Sequence, residues 1–207
     1  MSSPVHAKYL LKITLDGLSP SVWRRFVVPS EISLDRLHDV IQIVMGWKDC
    51  HVHEFIIGKF KYTENPESPD EGKMERMFRL NKSIKKNNID FAYIYDFGDD
   101  WRHHVEVDDI NFNDNKPDQL YCLEGQRMCP PEDVGGVHGY IEFCESMSNK
   151  RHPKYKENQN WYSSFTWYPK KFDSEHYDLE LINLELLKYL RWSRWRELSF
   201  NTQVDFW

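Results

Sequence analysis

The sequence predicts an α+β fold: an antiparallel or mixed sheet built from two hairpins plus an intervening strand, packed against one main helix and C-terminal helices. Three observations predict it. Residues alternate in polarity from Lys8 to Asp16, one clean helical period follows Ser33, and an Asp-Phe-Gly-Asp-Asp stretch interrupts a second pair of alternating segments. Strands arrive in adjacent pairs and do not alternate regularly with helices, which argues against parallel βαβ winding.

From Lys8 to Asp16, residues Tyr9, Leu11, Ile13 and Leu15 share one side of a strand, and Gly17 to Pro20 supplies a turn. Val22 to Val28 then returns as the partner strand, closed by Pro29. Ser33 is placed to N-cap a helix whose apolar face carries Leu34, Leu37, Ile41, Val44 and Met45, with Gly46 ending it in the left-handed region. A third strand is expected over His51 to Tyr62. The acidic, proline-bearing run Glu64 to Gly72 reads as an exposed loop. Asp90 to Asp96 and Trp101 to Val107 form the second hairpin; a two-residue turn at Gly98-Asp99 sets Asp96 opposite Trp101 and Ile94 opposite His103. Leu120 to Glu124 reads as a further strand, Gly139 to Met147 as a short helix, and Asp178 to about Arg196 as a longer one, with Asn183 available to cap a second start.

Composition narrows the function. Across 207 residues the formal charge is −6, so the whole surface cannot coat nucleic acid; only the last third, with Lys150 to Lys156 and Lys188 to Arg196, offers a basic face. No run approaches the length of a membrane span and no leader-like opening is present, which places the chain in the cytoplasm. A single domain over 1–207 is expected, its 150–207 part helical, aromatic-rich and packed on the rest. The four cysteines, Cys50, Cys122, Cys129 and Cys144, do not form a disulfide framework.

Two segments are dense in chemistry, Tyr93 to His104 and Cys129 to Tyr140. Together with Val22-Trp-Arg-Arg25, Leu37-His38, Ile41-Gln42, Met45-Gly-Trp47 and His51-x-His53-x-Phe55, their order and spacing resemble the Ri-plasmid ORF-3-like family over roughly residues 8 to 190. That resemblance implies a protein found on plasmids and in bacterial and archaeal genomes. Some members are labelled resolvase-like and associated with insertion elements, and some are joined to DNA-binding segments. Members often carry a further cysteine after Pro-Pro-Glu-Asp, where this chain has Val134.

The candidate ligand-binding residues are His51, His53, Asp96, Asp99, Trp101, His103, Glu132 and Asp133. His51 and His53, two apart on a strand, would point to one face about 7 Å apart. Two imidazoles so placed can share a divalent metal, with Asp96 or Asp99 and His103 completing the shell, but the sequence commits to no metal and leaves the cofactor open. The competing reading makes them hydrogen-bonding members of an aromatic-rich sheet. Asp96 and Asp99 are short acids suited to accept turn N–H groups. Glu132 and Asp133 form either an acid pair or an exposed helix cap. Cys50 beside His51 allows a thiolate–imidazole nucleophile. Arg191-Trp-Ser-Arg-Trp-Arg196 either grips phosphates and bases or docks its indoles on the body. Two functions are therefore expected in competition: a binding or adaptor module for protein or nucleic acid in mobile-element biology, and a metal-assisted hydrolase or nuclease.

Overall fold

Strands β1 (Lys8–Leu15) and β2 (Trp23–Pro29) pair antiparallel, with Leu11 opposite Phe26 and Ile13 opposite Arg24. In the computed structural model, which describes residues 7–84, 89–114, 116 and 120–203, the last stretch from 192 as backbone alone, the sheet grows to eight strands. Helix α1 (Leu34–Met45) lies on one face because its apolar period is 3.6, burying Leu34, Leu37, Ile41, Val44 and Met45. Gly46 ends it at φ 102°, its N–H donating to Gln42 O at 2.9 Å. Ser33 occupies the N-cap position without a side-chain cap bond, so the expected cap is absent.

The stretch expected as one strand is a hairpin, β3 (His53–Ile57) and β4 (Phe60–Thr63), turned at Gly58 with φ 60°. β5 (Lys73–Met74) adds parallel to β4, which makes the sheet mixed, and a 3₁₀ turn (Glu75–Met77) and the single-turn α2 (Leu80–Ser83) follow. β6 (Phe91–Tyr95) and β7 (Trp101–Phe112) pair next, and β8 (Tyr121–Gln126) closes the far edge against β2. The strand order is β5-β4-β3-β6-β7-β1-β2-β8. Helices α3 (Gly136–Ser148), α4 (Tyr155–Ser164) and α5 (Leu179–Gln203) complete the α+β fold.

The β6–β7 register departs from expectation by one residue. Tyr95, not Asp96, stands opposite Trp101, and Tyr93 stands opposite His103. The connection runs from Asp96 to Asp100, and both end residues take positive φ, 56° and 53°. Aspartate tolerates that region because its short side chain hydrogen-bonds locally. The acids therefore perform the backbone turn that sequence reasoning gave to Gly98-Asp99.

One continuous core joins the α1 face of the sheet to Tyr140, Phe143, Tyr162 and Leu186 from the C-terminal helices. Asn183 is not a second cap: its side chain accepts the Cys122 N–H (2.8 Å) and donates to Cys122 O (3.0 Å), fastening α5 to β8. Among the described residues no helix is long and apolar enough to cross a membrane.

Candidate functional site

Three connections converge at one end of the sheet: residues 48–52 before β3, the Asp96–Asp100 turn, and the 130–136 loop before α3. Asp96 N–H donates to Val52 O (2.9 Å), joining the first to the second. Gly135 N–H donates to Asp99 Oδ2 (3.0 Å), joining the second to the third. Asp99 is thus a staple between loops. A Cβ on Gly136, which sits at φ 65°, would lie 2.6 Å from Asp99 O. We expect Gly136→Ala to destabilise the fold by roughly 2 kcal/mol through strain and backbone displacement; urea unfolding with an unchanged midpoint would refute this.

Within this junction His51 Nε2 lies 3.1 Å from Asp133 Oδ1, 3.6 Å from Asp96 Oδ2 and 3.9 Å from Glu132 Oε2. One donor atom each from His51, Asp96 and Asp133 falls within 4.8 Å of the other two. The inner carboxylate oxygens are already held. Asp96 Oδ1 accepts the N–H groups of Gly98 (2.9 Å) and Asp99 (3.3 Å), and Glu132 Oε1 accepts Lys48 N–H (2.7 Å) and the Tyr95 hydroxyl (3.0 Å). The Glu132 side chain is only 1% exposed, yet its Oε2 has no hydrogen-bond partner, and burial pushes its carboxyl above the usual range. Glu132 is therefore not an exposed helix cap, whereas Asp133, at 62% side-chain exposure and φ 58°, faces solvent.

The other candidates are placed elsewhere. His53 opens β3, which His51 precedes, and both border the same cavity; among the described residues His53 is not in the His51, Asp96 and Asp133 cluster. His53 is buried, pairs with Glu75 Oε2 (2.9 Å) and stacks on His38 with ring centroids 3.5 Å apart. His103 is fully buried beneath Tyr93 and Trp47, and Trp101 is fully buried against Trp47. The one-residue register shift separates both from Asp96, which belongs to the turn. Side chains of Trp192 to Arg196 lie outside the described residues. Burial and neighbouring Glu132, Asp133 and Asp49 raise the Cys50 thiol, which counts against the thiolate nucleophile; burial likewise raises Cys122 and Cys129.

Sequence reasoning missed a second constellation. Gln42 Nε2–H donates to the Tyr93 hydroxyl (2.9 Å), which in turn meets His38 Nδ1 (2.8 Å), and His38 Nε2 meets Asp49 Oδ1 (2.9 Å). Because the hydroxyl already accepts from Gln42, it is free to donate to Nδ1, leaving Nε2–H to donate to Asp49; the ring is held as one tautomer. Asp49 N–H closes the circuit on Gln42 Oε1 (2.8 Å), and the His38 bond keeps the Asp49 carboxyl below its ordinary range. The available signal was a histidine on the apolar face of α1. Asp49 and His51 share the wall of a cavity of about 580 Å³ that also takes Asp35, Asp39, Glu64 and Glu75.

A mixed sheet backed by one principal helix, with histidine and carboxylates brought together by three end-of-sheet loops, defines an α+β protein whose candidate site lies at the sheet end. The chain belongs to the plasmid pRiA4b ORF-3-like proteins, whose family pattern it matches over residues 7–180. The uncharacterized protein y4hQ of Sinorhizobium fredii is 38% identical to it over 156 residues, 74% of this chain and 80% of that protein. The crystal structure of a protein of unknown function, MM3350 from Methanosarcina mazei Go1, is similar with a TM-score of 0.73 and 31% identity, covering 84% of this chain and 96% of the other.

Proposed function

We propose that this protein is a binding module whose cavity beside His51 receives a cationic segment of a protein partner. The carrying observation is the charge of the lining: Asp35, Asp39, Asp49, Glu64 and Glu75 face the cavity, against Arg76 as its only guanidinium or ammonium group among the lining residues. A lysine or arginine side chain entering there exchanges water for carboxylates in a partly enclosed space, where opposite charges interact more strongly than on open surface. The lining supports docking, since it includes Val52, an apolar side chain 60% exposed. The same lining disfavours the nucleic-acid and nuclease readings, because a phosphate backbone would meet carboxylates.

The test is fluorescence anisotropy of the full chain, in chelator, with a labelled lysine- and arginine-rich peptide, a glutamate-rich peptide of equal length and a single-stranded oligonucleotide. The basic peptide is expected to bind, weakening as salt rises, and the doubly substituted Asp49→Asn, Glu64→Gln variant to bind about 10-fold less tightly. Tighter binding of the oligonucleotide, or no loss in the variant, would overturn the reading.

A further inference from the structure

We propose that His51, Asp96 and Asp133 bind one divalent cation, with the buried Glu132 Oε2, 3.9 Å from His51 Nε2, as the anionic group behind it; the site is separate from the cationic-segment cavity although His51 borders both. Glu132 places a carboxylate oxygen in a buried position with no hydrogen bond, and His51 Nε2, also buried as an atom, has none either. Asp133 Oδ1 is near enough to His51 to pair, at 3.1 Å, but is not aligned as a hydrogen-bond acceptor. Buried polar atoms without partners are costly and uncommon, so two of them, His51 Nε2 and Glu132 Oε2, beside the outer oxygens of Asp96 and Asp133 ask for a common partner.

The chemistry of that partner follows from the donors. Three carboxylates around one imidazole carry an excess of negative charge that a small cation removes. Atoms bound to one ion at about 2.1–2.3 Å sit roughly 3–4.5 Å apart; His51 Nε2 lies 3.1 Å from Asp133 Oδ1 and 3.6 Å from Asp96 Oδ2, and one donor atom from each of the three residues falls within 4.8 Å of the other two. Nitrogen with carboxylate oxygen suits manganese, iron or zinc better than calcium, which prefers oxygen alone. The supporting shell is already built. Each inner oxygen of Asp96 and Glu132 is clamped by two donors, which aims the outer oxygen. Tyr95 is a positioning residue here: its hydroxyl accepts Cys50 N–H (2.9 Å) while donating to Glu132. The exposed side, at Asp133, leaves room for water ligands.

Calorimetric titration of untagged, chelator-stripped protein with manganese chloride, and separately zinc chloride, tests the site. One ion per chain with a micromolar dissociation constant is expected, with about 100-fold weaker binding in His51→Ala and in Glu132→Gln and about 10-fold weaker in Tyr95→Phe. His104→Ala should bind as the wild type does. Manganese should also broaden the His51 ring proton signals before those of His104 and His152. Asp133→Asn, altered at an exposed position, covers the case in which a core variant fails to fold. Millimolar wild-type binding, undiminished binding in His51→Ala or Asp133→Asn, or broadening centred on another histidine would overturn the proposal.

Discussion

Replacing Arg24 by alanine is expected to destabilise the protein by roughly 4 kcal/mol, enough to lower the unfolding midpoint severely or prevent folding at ambient temperature. Arg24 is 3% exposed, and among the described residues its guanidinium pairs with no carboxylate. It donates instead to four carbonyls: Val44 O (2.8 Å) in the last turn of α1, Trp23 O (2.8 Å), Gln126 O (2.8 Å) and Arg127 O (2.8 Å). The plane of Tyr177 covers it at 4.8 Å. One side chain therefore satisfies the negative end of the principal helix, the end of β8 and the backbone of β2 together. Deleting it leaves several buried acceptors without donors and opens a large void. Arg24→Lys should recover only part of the loss, because a point ammonium cannot span the fork that the guanidinium fills. Chemical denaturation of the three proteins measures the order, and a lysine variant as stable as wild type would show that charge alone suffices.

The contrast between what could and could not be read from the sequence lies in how each segment encodes position. β1 and α1 carry local periods near 2 and 3.6, so Leu11, Ile13, Leu37 and Ile41 could be placed from sequence alone, whereas Leu10 and Val27 belong to a second cluster that breaks the strand alternation. Strand parity past a loop cannot be read so. The Asp96–Asp100 connection is longer than a two-residue turn because aspartates at both ends accept positive φ, and that one residue moves Trp101 and His103 into the core and Asp96 out of the strand. His51 and His53 border one cavity, yet only His51 meets the loop acids, because the strand begins between them. By contrast Asp96, Glu132 and Asp133 were legible as candidates because short acids cluster beside glycine and proline in loops that must kink. Glu75 was not legible. Its role depends on burial beside His53, set by a parallel strand pair at the sheet edge that no local pattern announces.

These placements divide the histidines into two chemical populations. His51 keeps an unpartnered ring nitrogen at a partly open position, fit to bind something. His38, with both ring nitrogens hydrogen-bonded, stacks on His53, whose Nε2 meets Glu75, and the pair is fit to hold the cavity wall in one shape. A histidine's role here follows from whether buried partners already hold its ring.

His103 is the extreme of the second population and should dominate the acid side of the stability profile. Its Nδ1 faces Tyr93 O (3.2 Å), an acceptor only, so Nδ1 carries the proton, and Nε2 accepts from Trp47 Nε1–H (3.3 Å). Protonating Nε2 would set two donors against each other in a fully buried place, and burial lowers the ring's pKa from 6.5 to about 4. Between those values the unfolded chain binds a proton that the folded chain refuses. The contribution is therefore complete above pH 6.5 and is lost progressively as pH falls to about 4, amounting to about 3 kcal/mol. In His103→Gln the amide can still accept from Trp47 and donate to Tyr93 O, so the variant should be less stable at pH 7.5 yet lose about 3 kcal/mol less than wild type between pH 7.5 and pH 4. Urea titrations across that range in chelator measure the difference. Parallel curves for the two proteins would mean that His103 does not hold its neutral form in the fold, and the acid lability would then have to come from the carboxylates.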